Sequence, residues 1–377
     1  MHIFSSAIKN TRNTALVRWL SDGVLLFDNH EINVDDYRTF LHSQIDGLER
    51  FFSTDVLCGH TLEQLGISAD FISLNDTGNA HQLGYNPFLG DIRGNTDSRK
   101  FLEALVKDGS LVSLKNGQLV WSTVDTEHWL SAINQANNQA QALAHVTQGS
   151  PGRMTEEAKF QAANTPVSRK HLVVPYGMNT LAFFANYWKG ALVSGRFKEV
   201  LRLLPYRIAR LLFILIRIVR PIEWLYLAKY RVMDQERDSL TAVYRTYIWT
   251  SIGSRMDSRQ MYRNLDRFLA AAKDRNGKPL FYKGFATRSF RHFIAAVQRK
   301  HIEGSAKYTE KIAEQKTSMG DYQAGRSEGT SQQYYAVEHG PIKLEPGFIT
   351  HYIEYSKRCH NFWMLKTEHE DGDKYGV

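Results

Sequence analysis

Between residues 34 and 52, Tyr37, Phe40, Leu41, Ile45, Leu48 and Phe52 recur at three- and four-residue intervals, the period of a helix with one buried face. Asn33 stands just ahead of them as a cap. The same spacing predicts helices over 98–107 and 123–146, with turns at "GNTDSR" and "KDGS". The chain up to about position 130 therefore reads as a mainly helical module with short connections.

The pattern changes after "QGSPGR". "HLVVPYG" and "TLAFFANYWKG" are rich in β-branched and aromatic residues and predict strands. "GALVSGRFKEVLRLLP" continues them as a hairpin turning near Ser194 and Gly195. Helical spacing returns over 205–229, 237–250, 258–274, 286–303 and 305–318, followed by a loop rich in Gly, Ser, Lys and Gln up to about position 333. No element is assigned to the end of the chain, which is polar with scattered aromatics. The expected fold is α+β and mainly helical, divided into a helical module over 1–135, a domain with a small antiparallel sheet over 136–340, and a tail over 341–377.

Length and composition allow one large or two ordinary domains with real cores. Two cysteines, Cys58 and Cys359, exclude a disulfide framework and fit a reducing compartment. The opening "MHIFSSAIKNTRNTALVRWL" holds no continuous apolar run of signal-peptide length. The run "LLFILIRIVRPIEWLYL" is interrupted by Arg217, Arg220 and Pro221. A membrane span needs about 20 apolar residues, so this run reads as a buried helix ending near Pro221, and no membrane partner is expected.

Charge changes the picture most. Residues 1–140 carry ten basic and seventeen acidic side chains, a net of −7. Residues 141–340 carry 32 and 16, a net of +16, and the remainder carry five and six. So basic a middle segment points to a polyanion, most simply nucleic acid. No Walker loop, zinc spacing or dinucleotide glycine fingerprint is present.

Four features of that segment suit phosphate chemistry. "GSPGRMTEEA" sets Arg153 at a loop-to-helix junction with Glu156 one turn later. A guanidinium there can fork onto two phosphate oxygens, a helix N-terminus adds backbone N–H groups, and the glutamate can hold the arginine in place. Lys189, in "NYWKGALVSGRF", sits where the hairpin begins and can reach a leaving oxygen. "TRSFRHFIAAVQRKH" opens a helix with Arg288, Arg291 and His292, while Phe293, Ile294 and Val297 supply its buried side. Two arginines three positions apart share a helical face and can neutralise charge developing on a phosphate. Finally, "AGRSEGTSQQYY" sets Arg326 nine positions before Tyr335.

In this order the four blocks resemble the catalytic domain of tyrosine recombinases, most closely the divergent fungal branch of Crypton-type mobile elements and of regions attached to subtelomeric helicases. The first arginine box, R-x-x-E, is similar to Arg153 and Glu156. The sheet lysine corresponds to Lys189, the H-x-x-R-H box to Arg288, Arg291 and His292, and the last box to Arg326 and Tyr335. "LGYNPFLGDIRGN" and "DGSLVSLKNGQLVW" also resemble the region that precedes the arginine box. The likeness covers roughly positions 80–337.

The resemblance implies breaking and rejoining of double-stranded DNA through a 3′-phosphotyrosyl link, with DNA recombination, integration or transposition by a mobile element in the nucleus as the setting. Tyr335 is the implied nucleophile, chosen over Tyr334 by the spacing, and Lys189 the implied proton donor. The link conserves the phosphate energy, so neither a metal nor another cofactor is expected. Self-association into a tetramer on DNA is implied, and the tail, with Phe348, Tyr352, Tyr355, Phe362 and Trp363, suits docking on a neighbouring copy. The sequence departs from the pattern at 288 and 326, where arginines replace histidines and cannot act as bases. Two other readings stay open: a DNA-binding protein of the same fold without catalysis, and a helical scaffold with a solvated basic face.

Overall fold

The structure is a computed structural model, and it describes residues 17–74, 76, 82–89, 95–185, 199–231, 233, 236–303 and 346–369. It is an α+β fold in which helices dominate and the sheets are small and antiparallel.

The described chain opens with a three-stranded meander: β1 (Val17–Trp19), β2 (Val24–Phe27) and β3 (His30–Asn33). Asp28 and Asn29, both with positive φ, make the tight turn between β2 and β3, where Asx side chains are tolerated. Helix α1 (Val34–Phe51) follows, and Asn33 caps it by accepting the N–H groups of Asp35 and Asp36 at 2.8 and 3.2 Å. The predicted face, Tyr37, Phe40, Leu41, Ile45, Leu48 and Phe52, is buried.

Helix α2 (Thr96–Asp108) leads into the hairpin β4 (Val112–Lys115) and β5 (Gln118–Trp121). Asn116 and Gly117 turn it with positive φ at both positions, the geometry that an Asn-Gly pair favours. Two small antiparallel sheets thus stand among the helices that dominate the N-terminal part, an addition to the helical module expected there. Helix α3 (Thr123–Thr147) runs through positions 135 and 136 without a break, and a single apolar core joins Leu25 in β2 to Trp363 near the end of the chain.

A further three-stranded sheet contains β6 (Leu172–Val173), β7 (Ala182–Ala185) and β8 (Val200–Leu203), in that order. The hairpin turn expected near Ser194 falls outside the described residues, as do the helix expected over 305–318 and the loop after it. Helix α5 (Tyr206–Phe213) passes through a wider, π-type segment at Ile214–Val219 into α6 (Arg220–Tyr230). Pro221 therefore does not end a helix, as its position implied. It sits in the first turn of α6, where a missing N–H leaves no bond unmade, and the Asn95 side chain donates to the Arg217 carbonyl at 2.8 Å just upstream. The arginines that interrupt this apolar run are satisfied internally. Arg217 bonds Asp97 and the Phe88 carbonyl, and Arg220 donates to the carbonyls of Tyr247 and Ile248 at 2.8 and 2.6 Å. Among the described residues, no helix is long and apolar enough to cross a membrane.

Next come α7 (Arg237–Thr246), the tight hairpin β9 (Thr250–Ser251) and β10 (Ser254–Arg255), α8 (Ser258–Ala271), α9 (Thr287–Gln298) and α10 (Pro346–Phe362). Helix α10 packs on β8, with Tyr352, Tyr355 and Cys359 beside Val200, Leu201 and Leu203. Trp363 meets Tyr37 at a ring-centroid distance of 5.2 Å. Tyr352, Tyr355 and Trp363 therefore fill this chain's own core, a correction to their expected role in docking on a neighbour. Phe362 packs beside them, and the Phe348 side chain lies outside the described residues.

Candidate functional site

Helix α3 ends in buried polar residues, His145, Thr147 and Gln148, rather than at the surface. The chain then turns at Gly149, whose φ of 90° favours glycine. Arg153 caps a single helical turn, α4 (Met154–Glu157), with extended backbone. Its guanidinium lies 3.4 Å from Glu156 Oε1, both groups partly exposed, so the i+3 partnership expected from the sequence is made. The helix that starts there is a single turn, which carries little macrodipole.

Behind this loop lies a buried ionic brace that the sequence pattern did not reveal. The Glu157 carboxylate accepts His145 Nδ1–H at 2.8 Å and Gln148 Nε2–H at 2.7 Å. Arg202, buried in the middle of β8, donates from Nε to the Ser150 carbonyl at 3.0 Å. Burial opposes ionisation of Glu157, but His145, Arg202 and Gln148 together hold its carboxyl below the ordinary range. Burial lowers the Arg202 guanidinium, with Glu157 opposing. A Cβ on Gly152 would come within 3.3 Å of Glu157 Oε1 and 3.4 Å of Arg202 Nη2, so glycine lets the loop lie directly on the pair. The available signal was Arg202 itself, a charge inside the apolar strand V-L-R-L.

The brace reaches the second arginine block. Ser150 donates its hydroxyl to Gln298 Oε1 at 2.6 Å, and Gln298 donates in turn to Cys359 Sγ at 3.7 Å. Gln298 ends α9, and Arg291 stands two turns before it, on the same helical face. Phe290, Phe293, Ile294 and Val297 are buried as expected, and Phe290 lies 6.4 Å from the His145 ring. Arg288 is exposed, and Arg291 and His292 are half-buried. The fold therefore ties the loop carrying Arg153 to the helix carrying Arg288, Arg291 and His292. Lys189, Arg326, Tyr334 and Tyr335 lie outside the described residues.

The acidic character of segment 1–140 also has a structural explanation. Asp22, Asp36, Asp46, Glu49, Asp76, Asp97 and Glu127 make ion pairs with Lys300, Arg275, Arg207, Lys170, Arg217 and Arg231 of the basic segment. The most buried of these, Lys170–Asp76, closes at 2.5 Å. Part of the opposite charge in the two halves is thus paired within the molecule. Among the described residues no cluster of three or more His, Cys, Asp or Glu side chains could hold a metal ion.

No family model, no curated protein and no solved structure matches the chain.

Proposed function

We propose that the chain is a tyrosine-type DNA strand transferase acting on double-stranded DNA in the nucleus, as the enzyme of a mobile element or its descendant. The observation that carries this reading is the Ser150–Gln298 hydrogen bond. It links two arginine blocks that stand far apart in the sequence and that strand transfer needs around one phosphate.

In this mechanism Arg153, Arg288 and Arg291 grip the non-bridging oxygens of a phosphodiester and neutralise the pentacoordinate transition state, with Arg326 as a further donor. Glu156 keeps Arg153 oriented. The Tyr335 hydroxyl attacks phosphorus, forming a tyrosyl–phosphate bond on the 3′ side as the bond to the 5′ oxygen breaks. Lys189 gives a proton to that oxygen, and the reverse attack by the 5′-hydroxyl reseals the strand. A tyrosine ordinarily titrates near 10, so it needs a proton acceptor at neutral pH. Arginine cannot serve at 288 or 326, which leaves His292 or the substrate phosphate for that role. The protein acts as a tetramer, as two DNA sites require.

Those two arginines also favour a second reading, a DNA-binding protein of the same fold that no longer cleaves. One experiment separates the two. The protein is mixed with a pool of nicked duplexes, denatured in detergent, and examined for a covalent adduct beside a Tyr335→Phe control. An adduct that vanishes in the control supports strand transfer. Salt-sensitive binding with no adduct supports the second reading, and the absence of both removes the DNA interpretation.

A further inference from the structure

Helix α8 carries Arg259, Arg263 and Arg267 at every fourth position, all exposed. Four residues advance a helix by about 6 Å and rotate it only slightly, so the three guanidinium groups form a row along one edge. Arg255, exposed at the end of β10, extends the row at its start and stacks over Tyr247 at 4.9 Å. Six basic residues are paired with acids of the N-terminal part, as described above. By contrast, Arg259, Arg263 and Arg267 make no hydrogen bond or ion pair among the described residues. The nearby acids do not neutralise the row by pairing. Asp257 is occupied as the helix cap, accepting Gln260 N–H at 2.7 Å, and Asp274 accepts N–H groups of its own loop. Asp266 is exposed on the same side. Residues 255–278 still carry seven basic side chains against three acidic ones.

We propose that this row is a backbone-tracking surface for duplex DNA, a proposal that rests on the DNA reading above and adds where the duplex is held away from the reacting phosphate. Three points favour this occupant. The row is built of arginines alone, whose forked donors match phosphate oxygens. An anionic membrane surface would need an apolar face turned outward beside the charges, whereas Met261, Leu265, Phe268 and Leu269 of α8 are buried in the core. Helix α8 also packs on both α4 and α9, the elements at the two arginine blocks, so a strand held there continues from the candidate site.

The test is duplex binding by the full chain, measured by fluorescence anisotropy across a salt series, for the wild type, the triple variant R259Q/R263Q/R267Q and the triple variant R259K/R263K/R267K. Each phosphate contact contributes about −0.9 to the slope of log K against log salt. The glutamine variant is expected to lose about 2.7 of that slope with an unchanged melting temperature, while the lysine variant keeps it. A wild type that binds with a slope the glutamine variant shares overturns the α8 surface and leaves the DNA reading intact. A wild type that binds no duplex at low salt removes both. Preferential binding to vesicles of anionic phospholipid, lost in the glutamine variant, overturns the proposal in favour of a lipid surface.

Discussion

Tyr244 donates its hydroxyl to Glu223 Oε1 at 2.5 Å and accepts the Gly253 N–H at 2.8 Å, all beside the buried Arg220. This places a carboxyl group in the core where α6 and α7 meet. Burial pushes Glu223 up to about 7, against the opposing effects of Tyr244 and Arg220. Burial likewise lowers Arg220 to about 10, which leaves it charged at neutral pH.

A pH dependence follows from Glu223. Its folded value lies above the ordinary 4.5, so its stabilisation is complete below that value and lost as pH rises through 7. The difference in unfolding free energy between the wild type and Glu223→Gln is expected to shrink from about pH 4.5 to about pH 7 and then level off. Urea denaturation at half-unit pH steps measures it. A constant difference would show that Glu223 titrates in the folded protein as it does in the unfolded chain.

Glu157 gives the opposite sign. Its folded value is depressed, so its stabilisation is present above the ordinary carboxylate range and disappears as pH falls through the folded value. At pH 7, Glu157→Gln is expected to cost about 3 kcal/mol, because Arg202 loses the buried charge that compensates it. Chemical denaturation of the two proteins reads this directly, and the gap should close in acid.

The Gly152 contact predicts a functional loss with little unfolding. Gly152→Ala adds a methyl group at 3.3–3.4 Å from two buried charged groups, which cannot swing away as a surface side chain would. The expected cost in stability is about 1 kcal/mol. On the proposed strand-transfer reading, the expected cost in duplex binding or strand transfer is larger in proportion, because the Arg153 loop shifts. Melting temperature and the covalent-trapping yield, measured on the same preparation, separate the two effects.

Arg153 itself should behave in the reverse way to a core residue. Its ion pair with Glu156 is partly exposed, so Arg153→Lys is expected to change stability by less than about 0.5 kcal/mol. Loss of the forked donor should lower the trapping rate by about 100-fold. An unchanged rate would remove Arg153 from the proposed phosphate site.

Tyr37 offers a gain. Its ring is enclosed by Phe40, Phe281, Phe290, Phe293 and Trp363, and its buried hydroxyl has no hydrogen-bond partner among the described residues. Burial raises its ionisation far beyond reach. Tyr37→Phe removes an unsatisfied polar group and is expected to stabilise the protein by about 1 kcal/mol, seen as a higher melting temperature.

The helices with one clear buried face were legible in the sequence: α1, α2, α8 and α9 fall close to their expected bounds, as does α3, whose last two turns are buried all round. The small sheets of the N-terminal part were not, because β1 to β5 are each so short that they carry too few alternations to stand out. The Asn116–Gly117 pair was the readable sign. Helix α10 was missed because its polar and apolar residues are mixed, and only contact with β8 reveals which face is buried. At the site, Arg153 with Glu156 and the α9 arginines were visible as local patterns. The brace of His145, Gln148, Glu157, Arg202 and Gln298 was not, since its members come from separate stretches and meet only in three dimensions.

The anchoring of α10 on β8 limits how far Tyr335 can lie from the described fold. Tyr335 precedes Pro346, the first residue of α10, by eleven positions, and an extended chain spans at most about 3.6 Å per residue. Tyr335 therefore lies within about 40 Å of the start of that helix, a bound that the proposed strand transfer must respect. On the strand-transfer reading, lengthening this segment with a glycine–serine insert is expected to widen the choice between a protomer's own phosphate and its neighbour's. On the same reading, shortening it would narrow that choice, so the length of this segment would decide between cleavage in cis and in trans.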